Sequence, residues 1–353
     1  MIEPGAIDCD IHPAVPTVSA LLPYMSSYWR EMLQTRGLDE LNSNSYPANS
    51  PLTARQDWRP KTGRPAATLA QVQRECLDTF GTSIAICNCL YGVQLLFAED
   101  MAQAIASAVN DWMVAEWLDR DPRLRASIVV QTRNVEMAVE EIERCARDPR
   151  FVQVLLLASD DHPLGRRIYW PIYAAAERHG LAVGIHAGSN YHNPSTAVGW
   201  PSYYSEDYAG HAQAFQSQLT SLICEGVFSR HPKLKVVLLE SGWTWLPAHL
   251  WRLTKYWHGL RMEIPWVDRS PTEIVRSHVR LSLQPTDAPD AASLTRIIEH
   301  MQSDEMLLFS TDYPHAQFEG EAVIPEGLPR DLLRKIMIDN PRATYARLME
   351  TVA

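Results

Sequence analysis

The chain has 353 residues, 46% of them hydrophobic and 21% charged, and its 32 basic against 42 acidic side chains leave a formal charge of −10. That is an ordinary globular composition, which excludes a disordered, collagen-like or coiled-coil chain. So acidic a balance is a poor match for nucleic acid or an anionic membrane. No apolar run approaches the roughly 18–20 residues a membrane-spanning helix needs. The start, Met1-Ile2-Glu3-Pro4, lacks the basic and apolar segments of a secretory signal, so cytoplasm is the expected compartment. Six cysteines are too few for a disulfide scaffold. Cys87 and Cys89, inside an apolar run, read as two small core residues.

No fixed-period repeat is present, but a short apolar run followed by a longer amphipathic one recurs. Strands are predicted at Ala6–Cys9, Ser83–Cys89, Ala126–Val130, Phe151–Leu157, Ala182–His186, Leu234–Glu240, Val279–Leu283 and Met306–Ser310. Helices are predicted after the second to eighth of these, near Glu99–Arg120, Val135–Asp148, Ile168–His179, Glu206–Ser229, Trp245–Met262, Ala291–Gln302 and Arg330–Glu350. The strands are nearly continuous in apolar character, as parallel strands buried on both faces are. Alternation with helices implies right-handed crossovers. Eight such units predict an α/β fold, a single (β/α)8 barrel over 1–353. An open doubly wound sheet fits less well, because Cys9-Asp10-Ile11-His12-Pro13 is no glycine-rich phosphate loop. Residues 13–74 break the alternation and hold much of the Pro, Asn, Ser and Trp. They read as an insertion over the barrel mouth, as a packing arm for another subunit, or as both.

Active sites in such barrels lie at the C-terminal ends of the strands. Strand one ends in Asp8-Cys9-Asp10-Ile11-His12, strand five in His186, strand six in Glu240 and strand eight in Asp312-Tyr313-Pro314-His315. Asp10 and His12, two apart, point to one face of a strand and can reach one ion. His186, Glu240 and Asp312 converge with them only if the barrel closes. Two imidazoles and three carboxylates can hold one divalent ion with an activated water, or two ions bridged by a carboxylate.

Four segments carry a family resemblance: Ile7–His12, Gly184–Gly188, Phe228–Gly242 and Leu308–His315. In this order, across nearly the whole chain, they resemble the amidohydrolase superfamily, in the branch similar to aminocarboxymuconate-semialdehyde decarboxylase. The resemblance implies metal ligands at Asp10, His12, His186 and Asp312. Two positions depart from the family pattern. Asp10 stands where the first His of the H-x-H pair is expected, and Glu240 where a catalytic His follows strand six. Each exchange of imidazole for carboxylate shifts the expected preference from Zn toward Mn or Fe, or toward two ions.

Further candidates lie in the loops. His211, at the start of the helix after strand five, is a second-metal ligand or an acid/base, or else a helix-cap or interface residue. His192 in the same loop, His315, Gln284 at the end of strand seven and Trp243 after strand six are candidate substrate contacts, with His315 alternatively a support behind the ligands or a satisfied loop histidine. For Trp200, Trp243 and Trp245 the alternatives are helix packing or an aromatic wall. His231, in an Arg-His-Pro-Lys turn before strand six, reads as structural, and Asp8 as a ligand or a carboxylate that orients a histidine. The leading expectation is hydrolysis of a C–N or C–O bond, or non-oxidative decarboxylation, of a small organic molecule. Asp312 and Glu240 would be the acid/base groups. The alternatives are a dinuclear Mn/Fe hydroxylase that activates dioxygen and a metal-binding, non-catalytic subunit. The aromatic loops and the family pattern suggest a homodimer, or a hetero-oligomer with a paralogue.

Overall fold

The computed structural model describes residues 2–38, 41, 54–187, 193–315 and 323–348. Eight parallel strands form one sheet in sequence order. They are β1 (Ile7–Ile11), β2 (Ile84–Cys87), β3 (Leu124–Val129), β4 (Phe151–Leu157), β5 (Ala182–His186), β6 (Val236–Leu239), β7 (Val279–Ser282) and β8 (Leu307–Leu308). The last strand meets the first, with the Cys9 amide donating to the Phe309 carbonyl at 2.9 Å and the Asp312 amide to the Asp10 carbonyl at 3.1 Å. The result is the (β/α)8 barrel that the alternation predicts.

The closure depends on side chains buried on both faces. Ile7, Ile86, Leu155, Val237, Leu239 and Leu308 pack inside the barrel with Tyr345 and Leu348 from the C-terminal segment. A larger core joins the outer strand faces to the helices, and Cys87 and Cys89 are buried there. The Tyr204–Cys224 helix ends before Gly226, whose φ of 81° is the left-handed conformation that stops a helix. A short Val227–Arg230 turn follows, so the single predicted helix over 206–229 is two.

Three helical stretches were not anticipated, one of them the run Leu69–Val72, Gln73–Leu77 and Asp78–Phe80 before β2. Ser27–Arg36 lies in the stretch after β1. Pro271–His278 precedes β7 and opens with a reciprocal Ser270/Glu273 cap. The returning end of the 13–74 segment runs beside the end of β8. The Arg55 amide donates to the Pro314 carbonyl at 2.8 Å, and the Trp58 ring lies 4.7 Å from that of Tyr313. Among the described residues no helix is long and apolar enough to cross a membrane.

Candidate metal centre

Register places the first two donors. Pairing of β1 with β2 shifts between Asp8 and Ile11, so β1 carries one extra residue there. This bulge separates the environments of two carboxylates that simple alternation would put together. Asp8 turns to Thr311, accepting from its amide at 3.0 Å and from its hydroxyl at 2.6 Å. Asp10 turns to the histidines of the rim. Burial pushes the Asp8 carboxyl up to about 7, against the opposing effect of the Thr311 bonds.

At the rim the end of β5 supplies His186, the residue after β6 supplies Glu240, and the turn after β8 supplies Asp312 and His315. His12 Nε2 lies 3.0 Å from Asp312 Oδ1, 3.2 Å from Asp10 Oδ1 and 3.3 Å from Glu240 Oε1. His186 Nε2 lies 3.2 Å from Glu240 Oε1 and 3.8 Å from Asp10 Oδ2. His315 Nδ1 is 2.8 Å from both Glu240 Oε1 and Asp312 Oδ1, and its ring stacks on His12 with centroids 4.4 Å apart. Two overlapping four-residue groups result, Asp10/His12/His186/Glu240 and His12/Glu240/Asp312/His315.

Metal binding explains this set better than a salt-bridge network does. Asp10 Oδ2, His186 Nε2 and Asp312 Oδ2 are buried without a hydrogen-bond partner. Such orphans are costly in a protein interior, and here three point into one cluster. The remote nitrogens of two rings are already committed: His12 Nδ1 donates to the Asn88 carbonyl at 3.0 Å and His186 Nδ1 to the Ala187 carbonyl at 2.6 Å. Both Nε2 atoms are thereby left as lone-pair donors.

With only protein charges acting, the groups push one another apart in titration. Burial opposes ionisation of Glu240, but the His186 and His315 rings outweigh it and hold the carboxyl well below the usual range. Burial, then the Glu240 charge, raises Asp312 to about 6. Burial disfavours a charged His315, but Asp312 and Glu240 carry it to about 9.

The remaining candidates separate. His211 is buried with Nε2 3.3 Å from Asp207 Oδ2, outside both donor groups. Gln284 donates from Nε2 to the Val323 carbonyl at 2.9 Å and accepts from the Thr286 amide at 3.2 Å, which is a loop-fixing role. Trp243 is wholly buried, and its indole N–H donates to the Leu283 carbonyl at 3.2 Å. The structure thus gives it a packing role in place of the substrate contact expected. His192 lies outside the described residues. His231 is buried beneath Trp170 and Tyr173, 3.5 Å from Glu177, a structural setting. Tyr204 and Tyr208 were not anticipated. Their hydroxyls are 3.3 Å apart. Burial, reinforced by the Glu240 and Asp312 charges, raises both phenols. The signal was the spacing of Tyr204, Tyr208 and His211, one face of a helix.

This barrel and its buried rim of histidines and carboxylates define a metal-dependent enzyme. The chain belongs to the Amidohydrolase family, whose family model matches residues 7–347. A curated relative, γ-resorcylate decarboxylase of Rhodococcus jostii (strain RHA1), is 25% identical over 238 residues, 63% of this chain and 70% of that protein. Its counterpart in Polaromonas sp. (strain JS666 / ATCC BAA-500) is 23% identical over 46% of this chain, and the match spans only 51% of that protein's length. Among solved structures, an amidohydrolase from Mycobacterium avium subsp. paratuberculosis K-10 superposes with a TM-score of 0.73 at 20% identity, covering 98% of this chain and 100% of that one. A dihydroxybenzoic acid decarboxylase from Polaromonas sp. JS666, solved with manganese and 2-nitroresorcinol, gives 0.66 at 18% identity, covering 98% and 97%.

Proposed function

We propose that the chain catalyses non-oxidative decarboxylation of a small hydroxy-aromatic acid with one divalent ion, Mn before Zn, held by Asp10, His12, His186 and Glu240. The observation that carries the reading is Asp312. Its Oδ1 is fixed by His315, while its Oδ2 is buried beside the donor group with no partner. A carboxyl so held is placed to give a proton to a ring carbon as carbon dioxide leaves. The γ-resorcylate decarboxylases among the relatives support the choice over hydrolysis.

The bound ion supplies positive charge that steadies negative charge developing on the substrate. His315, 2.8 Å from Asp312 Oδ1, restores an imidazole to a site where Glu240 replaces one. It returns the proton to Asp312 after turnover. Tyr204 and Tyr208 offer phenols for an acidic or phenolic substrate group. His211 acts through this helix face and Asp207.

A second reading is favoured by the overlap of the two donor groups through His12 and Glu240. It is a two-ion, carboxylate-rich centre that hydroxylates its substrate with dioxygen. The described returning end of the insertion, from Ala54 to Trp58, lies close to the end of β8 and belongs to the mouth in either reading.

The test is incubation of Mn-, Zn- or Fe-loaded protein with dihydroxybenzoate isomers, with and without oxygen, measuring carbon dioxide and metal content. Oxygen-independent release of carbon dioxide, abolished in Asp312→Asn at unchanged metal content, is expected. Oxygen consumption with two ions per chain and no carbon dioxide would replace this reading with the second.

A further inference from the structure

A polar column runs through the barrel interior directly beneath the proposed ligands. Asn88, just past the end of β2, is wholly buried. Its carbonyl accepts from His12 Nδ1 at 3.0 Å, and its Nδ2 donates to Asp10 Oδ1 at 2.8 Å. One residue thus engages both strand-one donors. The bond to Oδ1 leaves Asp10 Oδ2 free on the side of His186, 3.8 Å away.

The amide of Asn88 has a single workable orientation. Its Oδ1 accepts from the Ser127 hydroxyl at 2.5 Å and from Gln153 Nε2 at 3.1 Å. A flipped amide would set NH2 against NH2 and an oxygen against the Asp10 carboxylate. Gln153 is fixed in turn. Its Nε2 also donates to Ser127 Oγ at 2.9 Å, and its Oε1 accepts from the Tyr345 hydroxyl at 3.2 Å. Tyr345 belongs to the C-terminal segment and packs inside the barrel with Ile7, Val152 and Ala182. Room for Gln153 comes from Gly184, where a Cβ would lie 2.4 Å from Gln153 Nε2. Asn88, Ser127, Gln153 and Tyr345 are all at most 2% exposed. Branched aliphatic side chains fill such layers at lower desolvation cost, so a fully paired polar column calls for another role.

We infer that Asn88 is a positioning residue that presets Asp10 for the ion, and that the Ser127–Gln153–Tyr345 chain holds its amide in the required orientation. The inference rests on the assignment of Asp10 and His12 as ligands. The column links the C-terminal segment at one end of the barrel to the metal centre at the other.

The experiment is titration of chelator-treated full-length protein with Mn²⁺ against a chromophoric competing chelator, with the thermal midpoint of each protein measured in parallel. Asn88→Ala is expected to weaken Mn²⁺ binding about 10–100-fold. Tyr345→Phe, a gentler change remote from the ion, is expected to weaken it less, in the same direction. Asn110→Ala serves as the control for a merely structural asparagine. Its side chain, also buried, bonds Val129 and Glu141 far from the ligands, so its loss lowers the midpoint and leaves affinity unchanged. Unchanged affinity in Asn88→Ala overturns the inference while the ligand assignment stands, provided Asp10→Ala loses binding. Unchanged affinity in Asp10→Ala overturns both. Should Asn88→Ala not fold, unchanged affinity in Tyr345→Phe overturns the column.

Discussion

Metal binding should be visible as stability, because the donors converge in the folded barrel and are scattered in the unfolded chain. Asp10, His12, His186 and Glu240 each offer an atom within 4.8 Å of the others. They come from β1, β5 and β6, separated by more than half the chain. An ion bound only by the folded state at 1,000 times its Kd adds about 4.1 kcal/mol. Unfolding entropy of about 2.1 cal/mol/K per residue gives about 0.74 kcal/mol/K for 353 residues. Tm should therefore rise by about 5–6 °C when chelator-treated protein is given saturating Mn²⁺. Asp10→Ala or His186→Ala, each losing about 100-fold in affinity, should keep only about 2 °C of the rise at the same concentration. Mg²⁺ should give little, since two imidazoles suit it poorly. The assay is scanning calorimetry with and without each ion. A Tm unmoved by millimolar Mn²⁺, Zn²⁺ or Fe²⁺, or an equal rise in the variants, would refute the ligand set.

Three further outcomes are expected. Glu141, 2% exposed, accepts from Ser107 at 2.8 Å, Asn110 at 2.7 Å and Arg144 at 2.7 Å. Glu141→Ala should cost about 3 kcal/mol in urea unfolding, and a loss below about 1 kcal/mol would contradict the pairing. Burial holds His249 and His278 below the usual histidine range. The unfolded chain therefore binds more protons there, so stability is full above about pH 6.5 and falls on acidification, by at most about 1.4 kcal/mol per pH unit for each ring. Denaturant midpoints in His278→Asn should show a shallower acid limb. Gly184→Ala should cost about 1–3 kcal/mol through the clash with Gln153 and should weaken Mn²⁺ binding as well, which calorimetry and chelator competition can separate.

The fold was legible because both periodicities were strong. Phe151–Leu157 and Ala182–His186 coincide with β4 and β5 to the residue, since a run buried on both faces has no competing amphipathic reading. The helix at Pro271–His278 escaped because it is short, although the spacing of Ser270 and Glu273 announces its start. At the rim, strand-end carboxylates and imidazoles stood out by type. His315 was weighed as a substrate contact or a support behind the ligands, and its place against Glu240 and Asp312 depends on a loop path that no spacing rule gives. Asn88, Ser127 and Gln153 are unremarkable as residue types. They acquire meaning only when three separate strands bring them to one layer.

Backbone strain at the rim was likewise invisible in the sequence. Glu240 has φ 53° and Asp312 φ 55°, a left-handed conformation that non-glycine residues adopt at a cost of about 1 kcal/mol or more each. Residue type alone would have put glycine at both positions. Each is instead pinned by a neighbouring strand end: the Glu240 amide donates to Ser282 Oγ at 2.9 Å, and the Asp312 amide to the Asp10 carbonyl at 3.1 Å. Ser282 is held in turn by donating to the Gln284 carbonyl at 2.9 Å. Of the four positive-φ non-glycine residues among the described residues, these two are rim carboxylates. The barrel therefore spends stability where two chain turns must aim a carboxylate inward, and closure between β8 and β1 both pins Asp312 and brings Asp10 to it. Metal geometry and barrel closure are one constraint. Loosening the β8–β1 seam should lower metal affinity before it unfolds the chain.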